Sequence, residues 1–175
     1  MLSDPLIVVA RLADTFDELV IPYLVGGSLA SSLYGIPRAT NDVDLMADVK
    51  LVHIEPLTKA LENDFYVARE LIMDAIHRRG SFNVIHLATM FKADVFLPRN
   101  DAWSSEEMAR ARAETIQVAD QARVIHFASP EDTILQKLAW YHLGGGIRMT
   151  VSKCQWAVIF RNSSGEGKPP RPRRN

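Results

Sequence analysis

A chain of 175 residues with 47% hydrophobic residues and a formal net charge of −1 is one domain's worth, neither disordered overall nor charged like a general nucleic-acid binder. Its single cysteine, Cys154, excludes an intramolecular disulfide and a Cys-x-x-Cys metal site. The N-terminus carries Asp4 and no basic region, so it does not read as a signal peptide, and no apolar run approaches the roughly 18 residues of a membrane span; a cytoplasmic protein with no membrane partner is expected.

The first expected element is an amphipathic helix over 4–19, with Leu6, Val9, Leu12, Ala13 and Phe16 on one face. A short apolar strand (22–25) runs into Gly26-Gly27, and a helix is expected from Ser28 to residue 34. A strand at 42–47, a helix at 52–63, a strand at 65–67 and a short helix at 69–78 follow. Phe82–Leu87 and Phe91–Leu97 are apolar runs at hairpin distance. The polar segment 100–112 is expected to be partly helical, and two strands at 114–119 and 123–127 form a hairpin around Asp120-Gln121. Ser129-Pro130-Glu131-Asp132 supplies a capping serine, a first-turn proline and two acids, which starts a helix running to about His142. Gly144-Gly145-Gly146 ends it.

The expected organisation is a domain over 1–142, a short segment over 143–160 and a tail over 161–175. The tail is rich in Ser, Gly and Pro with five Lys/Arg against one Glu, a composition that does not pack and reads as disordered and basic.

The chemistry concentrates in two places. Gly26 and Gly27 allow a sharp turn and close approach to a ligand, and the helix behind them aims backbone N–H groups at an anion. Asp42 and Asp44 stand at i and i+2 of a strand, so they project to one face while Val43 and Leu45 project to the other. Paired carboxylates repel unless a cation lies between them, and oxygen-only ligation suits Mg²⁺ or Mn²⁺. In Phe91–Leu97 the alternation places Phe91, Ala93, Val95 and Leu97 on one face and Lys92 and Asp94 on the other. Asp94 is a plausible third ligand or general base, or an edge-strand charge. Met46 and Ala47 stand where an EF-hand loop needs its third acid and its glycine, and Pro169 after Gly167-Lys168 breaks a Walker-A loop.

Val25-Gly-Gly-Ser28, Pro37-Arg-Ala-Thr40, Asn41-Asp-Val-Asp44 and the later Asp94 together resemble the polymerase-β-type nucleotidyltransferase superfamily, and within it the minimal AbiEii/MenT-like branch of toxin–antitoxin systems. The resemblance covers residues 20 to about 142. It implies an α+β nucleotidyltransferase fold, a mixed β-sheet flanked by helices. It implies an enzyme that transfers a nucleoside monophosphate from a nucleoside triphosphate (NTP) to an acceptor hydroxyl, with Mg²⁺-dependent loss of pyrophosphate. Asp42, Asp44 and Asp94 would be the metal-binding and catalytic residues. Gly26, Gly27 and Ser28 would hold the phosphates. Arg38 or Lys137, the latter matching a lysine placed near the phosphates, would offset the triphosphate charge. The acceptor is left open among tRNA, protein and a small molecule, and an antitoxin partner is implied. Family members continue into further helices after the region matching 152–156, so 143–160 reads as the stub of a truncated helical region. The alternative is a catalytically idle nucleotide-fold module that binds a partner, as one half of a toxin–antitoxin pair.

Overall fold

A computed structural model describes residues 3–35 and 39–143 of the chain. Arg38, the glycine run at 144–146 and the expected tail lie outside them. Two compact units are present, 1–134 and 135–175.

Helix α1 spans Ser3–Glu18 and is followed by β1 (Tyr23–Val25), α2 (Gly27–Tyr34) and β2 (Asp42–Ala47). After a single 3-10 turn at Leu51–His53 come α3 (Ile54–Leu61), β3 (Phe65–Tyr66) and α4 (Arg69–Arg78). Then follow β4 (Ser81–His86), β5 (Lys92–Phe96), α5 (Ala102–Ala109), β6 (Arg112–Val118), β7 (Gln121–Phe127) and α6 (Pro130–Leu143). Most expected elements are present within two residues. The helix expected at 52–63 is shorter and opens with the 3-10 turn, because Pro56 has no N–H to donate and tolerates only the first helical turn. In segment 100–112 the helix is real, and Asp101 caps it by accepting the Ser104 N–H at 2.7 Å. The final hairpin turns at Ala119-Asp120, with Ala119 at a φ of 52°.

Seven strands form one sheet in the order β3-β4-β5-β2-β1-β7-β6. Three of the pairings decide the site. β2 runs antiparallel to β1, parallel to β5, and β5 runs antiparallel to β4. The sheet is therefore mixed.

One face of this sheet carries the main core. Val43, Leu45 and Ala47 of β2, Ala93 and Val95 of β5 and Phe82 and Val84 of β4 are buried there. They cluster with Val9, Leu12, Ala13 and Phe16 of α1, with Leu57 and Leu61 of α3 and with Ile72 of α4. At roughly 25 cal/mol per Å² of apolar surface, this burial is the main favourable term in folding. Arg11 of α1 ties the helix layer together, with Nε 2.7 Å from Asp64 Oδ2 and Nη2 donating to the Ala60 carbonyl at 2.8 Å.

The opposite face is covered by α5 only in part. Leu24, Met46 and Ala128 form a second small cluster with Met108 and Ala111, which lie in and just after α5. A polar junction holds α5 to the start of α6. Arg110 donates from Nε to Asp132 Oδ2 at 3.0 Å and from Nη2 to Asp132 Oδ1 at 2.9 Å. Ser129 Oγ donates to Asp132 Oδ2 at 2.7 Å and accepts the Asp132 N–H at 3.1 Å, so the cap read from the sequence also anchors the junction.

Glu107 sits fully buried in this junction. Burial, followed by the nearby negative charge of Asp132, pushes its carboxyl up from 4.5 to about 7. The folded state then holds the proton more tightly than the unfolded chain does. Stability is expected to fall as pH rises from about 4.5 to about 7 and to level off above it. Glu107→Gln should flatten that slope and be the more stable protein at pH 8, by up to about 3 kcal/mol. Urea melts at pH 5 and pH 8 measure the difference; equal slopes for both proteins would count against a neutral, buried Glu107.

Candidate active site

The parallel pairing of β2 with β5 sets Asp42 against Lys92, Val43 against Ala93 and Asp44 against Asp94. Paired residues of neighbouring strands project to the same face, and strands lie about 4.8 Å apart. Asp44 and Asp94 therefore stand abreast on the face opposite the main core, with Asp42 one pleat along. Val43, Leu45, Ala93 and Val95 are buried beneath them, which fixes the register: a slip of one residue would send the acids into the core. Asp42 and Asp44 are half-buried, and Asp94 is 5% exposed.

Among the described residues, no group of three or more His, Cys, Asp and Glu side chains is gathered closely enough to hold a metal ion. The acids share a face and a row. Thr40 Oγ1 lies 2.8 Å from the Asp42 carbonyl oxygen and 3.2 Å from its Oδ1. The Asp44 carboxylate lies against Gly27. Lys92 Nζ is 2.9 Å from Asp94 Oδ1. In donor type, an oxygen-only set of three carboxylates on one face fits Mg²⁺ or Mn²⁺.

The glycine turn is built into the same place. Gly26 N–H donates to the Asp44 carbonyl at 2.9 Å, extending the β1–β2 ladder by one residue. Helix α2 starts at Gly27, one residue earlier than the sequence suggests, and Gly26 is its N-cap. Gly27 has a φ of 59°, a conformation that L-residues adopt at a cost. A Cβ placed there would lie 2.1 Å from Asp44 Oδ2 and 2.9 Å from its Cγ. Gly27 is thus required twice, by its backbone angle and by the carboxylate beside it. The first-turn N–H groups of α2 have no partner within the helix, and Ser28 is exposed beside them.

Of the other candidates, Arg38 lies outside the described residues. Lys137 is on α6 in the second unit. Two residues on the acid face were not singled out from the sequence as part of a site. Lys92 is one. Asn83 of β4 is the other, paired directly with Asp94 in a row that reads Asp44, Asp94, Asn83 across three strands. Its signal was the alternation Phe82-Asn83-Val84, which sends the amide to the face that Phe82 and Val84 avoid.

No protein-family model and no curated protein matches the chain. Solved structures do. A putative nucleotidyltransferase from Thermotoga maritima superposes with a TM-score of 0.53 at 14% identity, over 91% of this chain and 94% of that one. An antigenic nucleotidyltransferase-like protein from Paracoccidioides brasiliensis gives 0.51 at 22% identity, over 89% of this chain and 72% of that one. The antibiotic-resistance factor ANT(2'')-Ia gives 0.50 at 16% identity, over 94% and 86%. The chain has the nucleotidyltransferase fold. In this nucleotidyltransferase fold the described residues include no helix long and apolar enough to cross a membrane.

The Gly27–Asp44 contact can be tested by stability alone. Gly27→Ala should destabilise the protein by more than the roughly 1–2 kcal/mol of a left-handed L-residue, because the new methyl group also meets a carboxylate. Adding Asp44→Ala should recover part of that loss, giving a coupling energy of about 0.5–3 kcal/mol in a double-mutant cycle by urea unfolding. Strict additivity would show that Gly27 and Asp44 do not meet.

Proposed function

We propose that the protein is a metal-dependent nucleotidyltransferase that moves a nucleoside monophosphate from an NTP to an acceptor hydroxyl and releases pyrophosphate. One observation carries the reading: Asp44 and Asp94 stand abreast on parallel strands, with Asp42 on the same face and Gly27 packed on the Asp44 carboxylate. The two features a triphosphate site needs, anionic cation ligands and a backbone turn open to phosphate, meet at one residue pair.

In this reading Asp42, Asp44 and Asp94 hold Mg²⁺ or Mn²⁺. The bound ion would neutralise charge on the triphosphate and on the departing pyrophosphate. The chain's own groups do the rest. The N–H groups at Gly27 and Ser28 hold phosphate oxygens at the start of α2, where the helix dipole favours negative charge. Asp94, nearly buried, accepts the proton of the acceptor hydroxyl as that oxygen attacks the α-phosphorus in line. The new P–O bond forms as the bond to pyrophosphate breaks. The resemblance assigns the offsetting of the triphosphate charge to Arg38 or Lys137. Such catalysis consists mainly of positioning and charge compensation.

The motif set quoted from the sequence supports placing the chain in the AbiEii/MenT-like branch, with tRNA or protein as acceptor and an antitoxin as partner. A second reading has one observation in its favour: the likeness to ANT(2'')-Ia extends over 94% of this chain, which fits a small-molecule acceptor.

The test is to incubate the full chain with each α-labelled NTP, Mg²⁺ and, separately, tRNA, a protein extract and a panel of hydroxylated small molecules. Label should transfer to one acceptor class only. Asp44→Asn should lower transfer at least a thousandfold while circular dichroism and melting stay close to wild type, because a half-buried acid is exchanged for its isostere. Undiminished transfer by Asp44→Asn would overturn the proposed site. Nucleotide-independent capture of a partner with no transfer would favour the idle binding module.

A further inference from the structure

The acid row contains its own cation. Lys92 is paired in register with Asp42, lies two residues from Asp94 on the same face of the same strand, and places Nζ 2.9 Å from Asp94 Oδ1. The Asp94 side chain is 8% exposed and that of Lys92 is 35% exposed, so the ammonium reaches from the rim down to a nearly buried carboxylate. Asp44 stands abreast of Asp94, and two carboxylates at that spacing raise each other's energy unless positive charge is near.

We propose that Lys92 is a resident counter-cation of the acid row, which holds Asp94 in the metal-free protein and competes with the divalent ion for Asp94 Oδ1. The inference rests on the metal-binding reading above and adds to it a positioning residue. A divalent ion held at Asp94 would stand close to the ammonium at the same carboxylate, and the repulsion between the two positive charges makes them compete there. Lysine suits the exchange. Its charge sits on a flexible four-carbon stem and can swing to solvent or to a phosphate oxygen, whereas the rigid guanidinium of arginine would grip the carboxylate with two donors.

The structural alternative is an ordinary ion pair between residues two apart on a strand, of no consequence for metal. The two readings differ in sign. Removing a competing cation should tighten metal binding. Removing a merely structural pair should leave metal affinity unchanged or weaken it through a looser site.

The experiment measures Mn²⁺ binding to the full chain by electron paramagnetic resonance, with melting temperatures recorded in chelator and in saturating Mn²⁺. Lys92→Met keeps the stem length and removes the charge. It should bind Mn²⁺ on the order of tenfold more tightly than wild type. It should also melt lower than wild type in chelator, a deficit that shrinks on adding Mn²⁺. Lys92→Arg should melt like wild type and bind Mn²⁺ no more tightly. If Lys92→Met does not fold, Lys92→Gln serves the same comparison. Wild type that binds Mn²⁺ at a site lost in Asp44→Asn, with Lys92→Met and Lys92→Gln binding no more tightly, would overturn the role of Lys92 and leave the function intact. Binding of Mn²⁺ by none of these proteins would overturn both.

Discussion

The parallel pairing of β2 with β5 is the constraint on which the rest of the site depends. It joins strands separated in the chain by two helices and two strands, and it puts Asp44 level with Asp94. The same pairing stacks Val43 on Ala93 and Leu45 on Val95, and those buried contacts are what hold the acids in place. Apolar burial on one face supplies the free energy that keeps like charges together on the other. The energy of the core is thus coupled to the geometry of the site through the two-residue period of the strand.

The second constraint is the approach of Gly27 to Asp44. Because β1 lies beside β2, the turn that leaves β1 delivers its backbone onto the carboxylate that β2 presents. A phosphate-binding turn and a cation-binding acid are thereby fixed relative to each other without any side chain between them. Lys92 of β5 joins the same arrangement, with Nζ 2.9 Å from Asp94 Oδ1. Beyond the row, α5 covers Leu24 and Met46 and is pinned by Arg110, Asp132 and Ser129, so the acid face is bounded at one end by a packed and polar junction.

Much of this was legible in the residues. The alternation Asp42-Val-Asp-Leu45 and Phe91-Lys-Ala-Asp-Val95 told which side chains share a face, since a strand leaves no other choice. The glycine pair told where the backbone must bend, although only the structure showed that Gly27 itself opens the helix with a left-handed angle. The Ser129 cap was visible immediately ahead of the helix that opens at Pro130. Asn83 was missed because a single polar residue in an apolar run carries no meaning until its cross-strand partner is known. Glu107 was missed for a similar reason: its neighbours Arg110 and Asp132 belong to different elements, and nothing local marks a glutamate in a short polar helix as buried.

The sequence by itself determined the elements, the face on which each strand residue lies and the chemical types offered on that face. These follow from local backbone geometry and from the periodicity of apolar residues, both of which act over a few residues. Tertiary structure alone decided that β5 and not β4 lies beside β2, that the pairing is parallel, and that its register sets acid against acid and Lys92 against Asp42. Those choices depend on how helices on one face pack against strands far apart in the chain. That packing is a sum of many non-local contacts, and no short window of residues contains it.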